Sequence, residues 1–418
     1  MNTRLLLMLL IVALVAPAAH ARDFDEQVLK ILAEVPLIDG HNDVPWQFRS
    51  RVKNKIEDLR FHQDTSRLDK PMHTDIPRLK QGGVGAQFWS VWIPTSLSRY
   101  EAVAVTLEQI DLVHRLNARF PETFELALTA DDVVRIHGSG KIASLIGMEG
   151  GHSIGNSLGV LRMMYDIGAR YMTLTHWKNT DWADAATDAP AHGGLTKFGK
   201  EVVREMNRMG MLIDLSHVSA KTMTDALKVS KAPVIFSHSG ASAINPHPRN
   251  VPDAVLKKVK RNRGIVMVDF LESYVSKTVW EHGAKARAEK ARLQTMHLGD
   301  PTGVENGMKA WHASNPAPKS TLSDVVDHMD HIKKLIGVDY IGIGSDFDGM
   351  GPGPTGLEDV STYPALLKEL LKRGYTEKDV KKIAGLNLLR VMREAEKVAK
   401  KLQAKGHASS MRLEIKEK

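Results

Sequence analysis

The sequence predicts an α/β fold, a closed (β/α)8 barrel, on three observations. Short apolar runs alternate with helical patterns eight times along the chain. The runs lack the apolar–polar alternation of half-exposed strands, as expected for parallel strands that are buried on both faces. Six of the eight runs end near a His, Asp or Glu. Because the carboxyl ends of barrel strands form the active face, these side chains predict a single site at that mouth.

The predicted elements follow in chain order, each from its apolar periodicity. Helices are predicted over residues 23–34, 102–120, 161–167, 198–209, 220–229, 253–261 and from Tyr363 onward. Strands are predicted over residues 35–38, 84–93, 143–149, 171–176, 211–217, 233–238, 264–270 and 340–346.

Candidate metal ligands stand at four of these strand ends. His41 and Asp43 are two residues apart after the first strand, so they point the same way and can hold one ion as a pair. Taken alone, they also fit a strand end with a polar cap. Glu149, His217 and His238 follow later strands. One zinc ion rarely takes five protein ligands, whereas two ions can share them if Glu149 bridges.

Several motifs carry a family resemblance over most of the chain, from Pro36 to about Val391. They are Asp39-Gly-His-Asn-Asp43, Gly147-Met-Glu-Gly-Gly-His-Ser-Ile154, Thr173-Leu-Thr-His176, Asn179 with Trp182-Ala-Asp184, Asp214-Leu-Ser-His217, Ser237-His-Ser239, Asn245-Pro-His-Pro-Arg-Asn250, Gly344-Ser-Asp-Phe-Asp-Gly349 and Asn387-Leu-Leu-Arg-Val391. With them the chain resembles the membrane dipeptidase family (renal dipeptidase, or dehydropeptidase) of the amidohydrolase superfamily. The resemblance implies zinc-dependent hydrolysis of dipeptides, including those with a C-terminal D-residue, by a hydroxide between two metal ions.

The resemblance also implies how the ligands divide between two zinc ions per chain. His41 and Asp43 would bind one ion, His217 and His238 would bind the other, and Glu149 would bridge the two.

Three further residues receive roles from the same resemblance. His176 would contact the scissile carbonyl and stabilise its oxyanion. Arg249 would bind the free C-terminal carboxylate of the dipeptide as a two-pronged donor. Asp346 would take the proton of the attacking hydroxide and return it to the leaving amine. Asp348 and His152 are expected to support the site or the fold without binding metal.

Two places depart from the family pattern. The family often has Val-Asn-Phe and then an aromatic residue after the seventh strand, where this chain has Val268-Asp-Phe-Leu271. The segment Lys277–Lys319 is longer than in mammalian members, and we expect a charged helix over residues 282–297 followed by a loop rich in Gly, Pro and Asn. This insertion fits a lid, a dimer contact or a surface elaboration. Both places lie near the mouth and bear on side-chain preference.

Other functions fit parts of the same pattern. An N-acyl amino-acid amidase or a lactonase could use the same scaffold, and Arg249 separates them weakly because N-acyl amino acids also carry a carboxylate. A binding protein with an inactive site is disfavoured by the intact ligand set. A mononuclear deaminase is disfavoured because Asp43 and Glu149 supply more carboxylates than one zinc ion needs.

The N-terminus predicts export. Arg4, the apolar run of residues 5–15 and Ala19-His20-Ala21 are typical of a signal peptide over residues 1–21. A membrane anchor is disfavoured because the run is shorter than the roughly 20 residues that span a bilayer. Without cysteine, neither disulfides nor a lipid-modified cysteine can form. We expect residues 22–418 to form a single domain and, in a Gram-negative source, to reside in the periplasm.

The charge pattern bears on partners. The formal charge of +8 includes eight Lys or Arg against four Glu in residues 393–418. This excess fits attraction to anionic surfaces or, more simply, a solvated helix with a frayed tail. No basic patch is interleaved with aromatic residues, so nucleic acid is not an expected partner. We expect a small dipeptide substrate and no stable membrane anchor, and the family resemblance implies a homodimer.

Overall fold

The computed structural model describes residues 24–413, which contain nine β-strands and sixteen α-helices. The strands are β1 Leu37–Asn42, β2 Val84–Trp92, β3 Phe124–Leu126, β4 Ile142–Glu149, β5 Ala169–Thr173, β6 Leu212–Asp214, β7 Ile235–Phe236, β8 Ile265–Val268 and β9 Ile341–Ile343. The helices are α1 Phe24–Glu34, α2 Val44–Val52, α3 Ile76–Gln81, α4 Arg99–Arg119, α5 Ala130–Gly138, α6 Leu158–Asp166, α7 Lys197–Met209, α8 Ala220–Val229, α9 Asp253–Asn262, α10 Glu272–Val275, α11 Lys277–Met296, α12 Pro301–Ser314, α13 Leu322–Ile336, α14 Tyr363–Lys372, α15 Glu377–Lys381 and α16 Asn387–Gln403.

Eight of these strands close into a parallel barrel, which confirms the predicted fold class. Their order is β2-β1-β9-β8-β7-β6-β5-β4, and a β2–β4 pairing joins the two ends. The ninth strand, β3, was not predicted. It pairs with the first residues of β4, Phe124 opposite Ile142, whereas β5 pairs with β4 from Ile146 onward. A three-residue strand of this kind is too short to be recognised from periodicity.

The core has an inner and an outer part, because alternate residues of each strand face opposite sides. The inner cluster includes Phe88, Leu145 and Met267, together with α16 side chains such as Leu388. The neighbouring residues on the same strands belong to the outer cluster, which packs against the surrounding helices. Since both faces of the strands are apolar, the sequence shows apolar runs rather than alternation.

The C-terminal helix α16 closes the amino-terminal end of the barrel. Asn387 donates hydrogen bonds to the carbonyl of Val338, just before β9, and to that of Ile341, the first residue of β9. Arg390 donates to the carbonyl of Arg263, just before β8. With that end filled, the opposite end alone remains as a mouth for the site.

The insertion forms a helical hairpin of α11 and α12, so the predicted Gly/Pro/Asn-rich loop is wrong. Asp300 caps α12 by accepting a hydrogen bond of 2.9 Å from the backbone N–H of Gly303. Pro301 stands in the first turn, where its missing N–H costs nothing. These residues, taken as loop formers in the sequence, are start signals for a helix. Trp280 of α11 packs on His247, with ring centroids 4.2 Å apart, beside the mouth.

The strands end earlier than the sequence predicts. The regular pairing of β5, β6, β7 and β9 stops two or three residues before the expected histidine or aspartate. His217 and Asp346 have φ angles of 67° and 64°, which strand pairing does not allow.

The helices α2, α3, α5, α10 and α13 were also not predicted.

Other predictions lie outside these observations. The signal peptide proposed for residues 1–21 lies outside the described residues. Within residues 24–413, each helix is too short or too polar to cross a bilayer. The single domain, the periplasmic location and the homodimer stay predictions.

Candidate metal centre

The site begins with a glycine in β4 that makes room for a tyrosine. A Cβ on Gly147 would lie 2.0 Å from the ring of Tyr171 on the adjacent strand β5. The Tyr171 hydroxyl lies 2.9 Å from Nδ1 of His41. That contact leaves Nε2 of His41, which is buried and has no hydrogen-bond partner among residues 24–413, turned toward the centre of the mouth. The small residue in β4 therefore determines which histidine nitrogen is free to bind metal.

Glu149, at the end of β4, lies at the centre of the predicted ligands. Its Oε1 is 3.0 Å from Nε2 of His217, 3.5 Å from Nε2 of His238 and 3.5 Å from Nε2 of His176. Its Oε2 is 3.4 Å from Nε2 of His41. The two carboxylate oxygens thus face different histidines, which is the arrangement that a bridging ligand requires.

The side of the centre around His41 is richer in carboxylates than the side around His217. Nε2 of His41 lies 3.4 Å from Oδ2 of Asp43 and 4.0 Å from Oδ1 of Asp346. The ligand atoms of His41, Asp43 and Asp346 all lie within 4.8 Å of one another, and so do those of His41, Glu149 and His238. A third such group is Glu149, His176 and His217. The structure therefore brings together seven of the eight predicted site residues.

Hydrogen bonds behind the ligands fix their orientation. The Ser237 hydroxyl lies 2.8 Å from Nδ1 of His238 and donates to Asp214 at 2.6 Å. Asp214 also accepts from the backbone N–H groups of Ser216 and Ser237. With its hydroxyl hydrogen on Asp214, Ser237 accepts from Nδ1 of His238 and leaves the lone pair of Nε2 free for a metal ion. Ser90 holds the carboxylate of Glu149 by donating to its Oε2 at 3.1 Å.

Asp39 ties the first strand to the loop that carries Asp346. It accepts hydrogen bonds of 2.8 Å from both the backbone N–H and the hydroxyl of Ser345, and one of 2.8 Å from the Tyr363 hydroxyl. The same loop holds Asp346 and Asp348 at positive φ. Left-handed backbone at non-glycine residues is costly and persists where surrounding contacts hold it. Asp39 holds Ser345, the residue before Asp346, and the backbone N–H of Asp346 donates to the carbonyl of His41.

The histidines of the centre differ in charge. Burial acts to lower the pKa of His41, but Tyr171 and the carboxylates of Glu149 and Asp43 hold it well above the ordinary value. Burial lowers the pKa values of His217 and His238 well below the ordinary value, and it lowers the pKa of His176 to about 4. Burial also raises the pKa of Asp346 well above its ordinary value, and the nearby carboxylate of Asp269 adds to the rise. Burial acts to raise the pKa of Glu149, but the histidines, led by His41, hold it well below the ordinary range.

This donor set fits metal ions. Neutral imidazole nitrogens and carboxylate oxygens are the ligands that zinc prefers. Within residues 24–413, Asp43, Glu149 and Asp346 form no salt bridge with Lys or Arg and have histidines as their closest ionic partners. Buried carboxylates need a compensating charge, and a cation among these atoms would supply it.

A cavity of about 340 Å³ opens over the ligands. Its volume is at the small end of the range for ligand pockets, which suits a small substrate. Aromatic side chains form one wall: Trp46 and Trp92 meet edge to face at 4.5 Å, and the Trp92 indole N–H lies 3.1 Å from Nε2 of His176. Tyr274 and Met350 also line the cavity.

Arg249, the eighth predicted site residue, is fully buried beside this cavity. Its guanidinium donates to the carbonyl of His238 at 3.1 Å and to the Ser239 hydroxyl at 3.3 Å, and it lies 5.3 Å from the centroid of the Tyr274 ring. Its Nε has no hydrogen-bond partner in the part of the chain that the structure describes. Unused N–H groups of the guanidinium therefore remain next to the metal ligands.

The two residues expected to play supporting roles lie at the margins. Nε2 of His152 lies 3.2 Å from the carbonyl oxygen of Ile93, and His152 belongs to none of the ligand groups in the described residues. Oδ1 of Asp348 accepts from the backbone N–H of His73 at 2.9 Å.

The family model for membrane dipeptidases, peptidase family M19, matches residues 25–406. The chain belongs to the membrane dipeptidase family. Dipeptidase verJ of Clonostachys rogersoniana is 40% identical over 404 residues, covering 94% of this chain and 92% of that protein. Dipeptidase 3 of Rattus norvegicus is 42% identical over 381 residues, covering 90% and 68%. The crystal structure of dipeptidase AC, a metallo peptidase, superposes with a TM-score of 0.71 at 25% identity, covering 86% and 98%.

Sequence reasoning missed the supporting residues of this membrane dipeptidase. Asp39, Asp214 and Ser237 belong to the quoted sequence motifs, but no role was predicted for them. The contact of the Tyr171 hydroxyl with His41 was not predicted. For one pair the positions were visible, since Asp214 ends β6 and Ser237 directly follows β7, but only the register of the two strands, with Asp214 opposite Ile235, brings the acid within reach of the hydroxyl.

Proposed function

We propose that this membrane dipeptidase hydrolyses dipeptides with two zinc ions bound in the centre described above. The observation that carries the proposal is Glu149, whose two oxygens face two different sets of histidines. His41 and Asp43 hold one ion, and His217 and His238 hold the other. When bound, two such ions supply a nucleophilic hydroxide at neutral pH and polarise the scissile carbonyl.

The chain's own residues perform the remaining steps. His176 is neutral and lies at the mouth beside Glu149, where it donates a hydrogen bond to the oxyanion that develops on the scissile carbonyl. The carboxylate of Asp346 accepts the proton of the attacking hydroxide. It then returns this proton to the nitrogen of the leaving amino acid, so the C–N bond is replaced by a C–O bond and an N–H bond and the products are two free amino acids.

Arg249 selects the substrate length. Its unused N–H groups meet the C-terminal carboxylate of the dipeptide, one residue beyond the scissile bond. The neighbouring relatives are named dipeptidases, which supports the same substrate class. A dipeptide with a C-terminal D-residue keeps this carboxylate, so we include such dipeptides among the substrates.

Steady-state kinetics on metal-loaded and chelator-treated protein test the proposal. Matched dipeptides with L,L and L,D configuration should be cleaved, and chelation followed by zinc addition should abolish and restore turnover. N-acyl amino acids and lactones serve as the comparison, since an amidase or lactonase on this scaffold would prefer them. Faster turnover of an N-acyl amino acid than of each dipeptide would overturn the assignment.

A further inference from the structure

Asp269 is a buried acid that the proposed mechanism does not use. It follows β8 directly and shares the inward face of that strand with Ile265 and Met267. The flanking strands β7 and β9 lead to His238 and Asp346. Asp269 therefore projects between a proposed metal ligand and the proposed proton acceptor. It stands where the sequence departs from the family pattern.

One oxygen of Asp269 is fixed and the other is free. Oδ1 accepts a hydrogen bond of 2.6 Å from the backbone N–H of Leu271. Oδ2 is buried and has no hydrogen-bond partner among the described residues. The ligand atoms of His238, Asp269 and Asp346 all lie within 4.8 Å of one another. An unpartnered buried carboxylate oxygen is costly unless a cation or a donor meets it.

Arg249 is near enough for its charge to act on Asp269, but it does not bind the free oxygen. Its guanidinium donates to Ser239 and to the backbone carbonyl of His238, and it forms no salt bridge within residues 24–413. The free oxygen of Asp269 is instead grouped with two atoms that belong to the metal centre.

We propose that Asp269 is an additional ligand of the metal centre and gives the ion held by His217 and His238 a further carboxylate donor. The inference rests on the two-metal function proposed above. An added anionic oxygen strengthens the binding of a divalent ion and raises the coordination number on that side of the site. This chain should therefore retain its second ion more tightly than it would with a neutral side chain at the same position.

Asp269→Asn tests the proposal with little change in shape. Asp348→Asn is the matched control, because Asp348 is also buried with an unpartnered Oδ2 but belongs to none of the ligand groups in the described residues. Full-length mature protein is freed of metal and equilibrated with buffered zinc, and bound zinc is measured by elemental analysis. Asp269→Asn should weaken the second ion by roughly 10-fold or more, as loss of groups around a metal does. Asp348→Asn should match wild type.

The visible spectrum of the cobalt-substituted proteins provides a second readout that does not depend on activity. Loss of a ligand in Asp269→Asn should change the band intensity, and circular dichroism checks that the variant is folded. Equal zinc affinity and an unchanged cobalt spectrum in Asp269→Asn and wild type would overturn the proposal. A lower KM of the variant for dipeptides would then show that the charge of Asp269 acts on Arg249 instead. A wild type that binds one ion would contradict the two-metal function. The comparison of Asp269→Asn with wild type on that ion would still decide whether Asp269 is a ligand.

Discussion

Nε2 of His217 and Nε2 of His238 face each other at 3.0 Å, and both lie within 3.5 Å of the same oxygen of Glu149. Nδ1 of His238 bonds to Ser237, so Nε2 of His238 presents a lone pair. A lone pair and a carboxylate oxygen at this separation repel each other unless something positive lies between them. The pair of histidines is therefore oriented for a shared cation.

The first prediction is that the purified protein holds close to two zinc ions per chain. Glu149→Ala should lower zinc content and abolish turnover, because both ions lose a ligand and the negative charge between them. Elemental analysis after dialysis measures the stoichiometry. Full activity with a single tightly held zinc ion would rule out the two-metal mechanism.

The second prediction concerns Asp346, whose proposed task is proton transfer. Asp346→Asn should reduce kcat by roughly 10²–10⁴-fold, the usual contribution of a general base, while zinc content stays near wild type. Asparagine tolerates the left-handed backbone at this position, φ 64°, so the loop should keep its shape.

Asp348→Asn provides the control, because Asp348 has a similar φ of 66° in the same loop. Its side chain accepts a hydrogen bond from the backbone of His73, so its loss should affect kcat far less. Loss of zinc together with activity in Asp346→Asn would show that Asp346 is a ligand.

The third prediction concerns the hydroxyl behind His238. Ser237→Ala removes the group that joins Nδ1 of His238 to Asp214, and it should weaken zinc binding by roughly 10–100-fold. Ser144→Ala is a matched control, since Ser144 is a buried strand serine that accepts from the Trp89 indole away from the ligands. Competition with a zinc chelator gives both affinities. Equal affinities in the two variants would show that Ser237 does not orient the ligand.

The metal-ligand candidates show which part of the site could be predicted from the sequence. His41, Asp43, Glu149, His217 and His238 were predicted as ligands because metal binding demands particular residue types, and strand ends mark where they stand. The structure brings all five together. Residue type and local position are visible in a sequence, so this part of the site could be predicted.

The supporting residues depend on contacts that the sequence does not display. Asp214 reaches Ser237 because β6 and β7 are adjacent with a particular register, Asp214 opposite Ile235. Asp39 reaches Ser345 across more than three hundred residues of chain. The helix α12 was missed for a different reason: Asp300 and Pro301 favour a loop or a helix start, and the packing that follows decides between them.

The fourth prediction is a loss of stability in acid that originates at His328. The backbone N–H of Ala241 donates to Nδ1 of His328 at 2.8 Å, and Nε2 donates to the carbonyl of Val275 at 3.0 Å. Burial lowers the pKa of this neutral histidine to about 4. An unfolded chain, with a histidine pKa of about 6.5, binds the proton first, so stability is full above that pH and falls as the pH drops toward 4. The loss reaches about 3 kcal/mol.

His328→Gln keeps a donor and an acceptor without titrating, so its unfolding free energy should depend less steeply on pH between 6.5 and 4. Urea unfolding of wild type and His328→Gln at several pH values measures the dependence. The metal ligands are the same in both proteins, so the difference between them belongs to His328. Parallel pH profiles would contradict the prediction.

The last prediction is that Arg249 restricts the enzyme to free dipeptides. A tripeptide or a dipeptide amide would place an uncharged group against the buried guanidinium and leave it uncompensated, at a cost on the order of several kcal/mol. Dipeptides should therefore be cleaved and their amides should not. Arg249→Lys should lose most of kcat/KM on dipeptides and narrow the gap to the amides, because lysine cannot form two parallel bonds to a carboxylate.

Arg170→Lys is the control for the loss of a buried guanidinium as such. Arg170 donates to the carbonyls of Leu128 and Tyr165 away from the metal centre, so its replacement should lower stability without changing the ratio of acid to amide hydrolysis. The measurement is kcat/KM for one dipeptide and its C-terminal amide in wild type and both variants. If wild type cleaves the amide as fast as the free acid, Arg249 serves only to hold the loop against Ser239 and His238, and substrate length is selected elsewhere in the mouth.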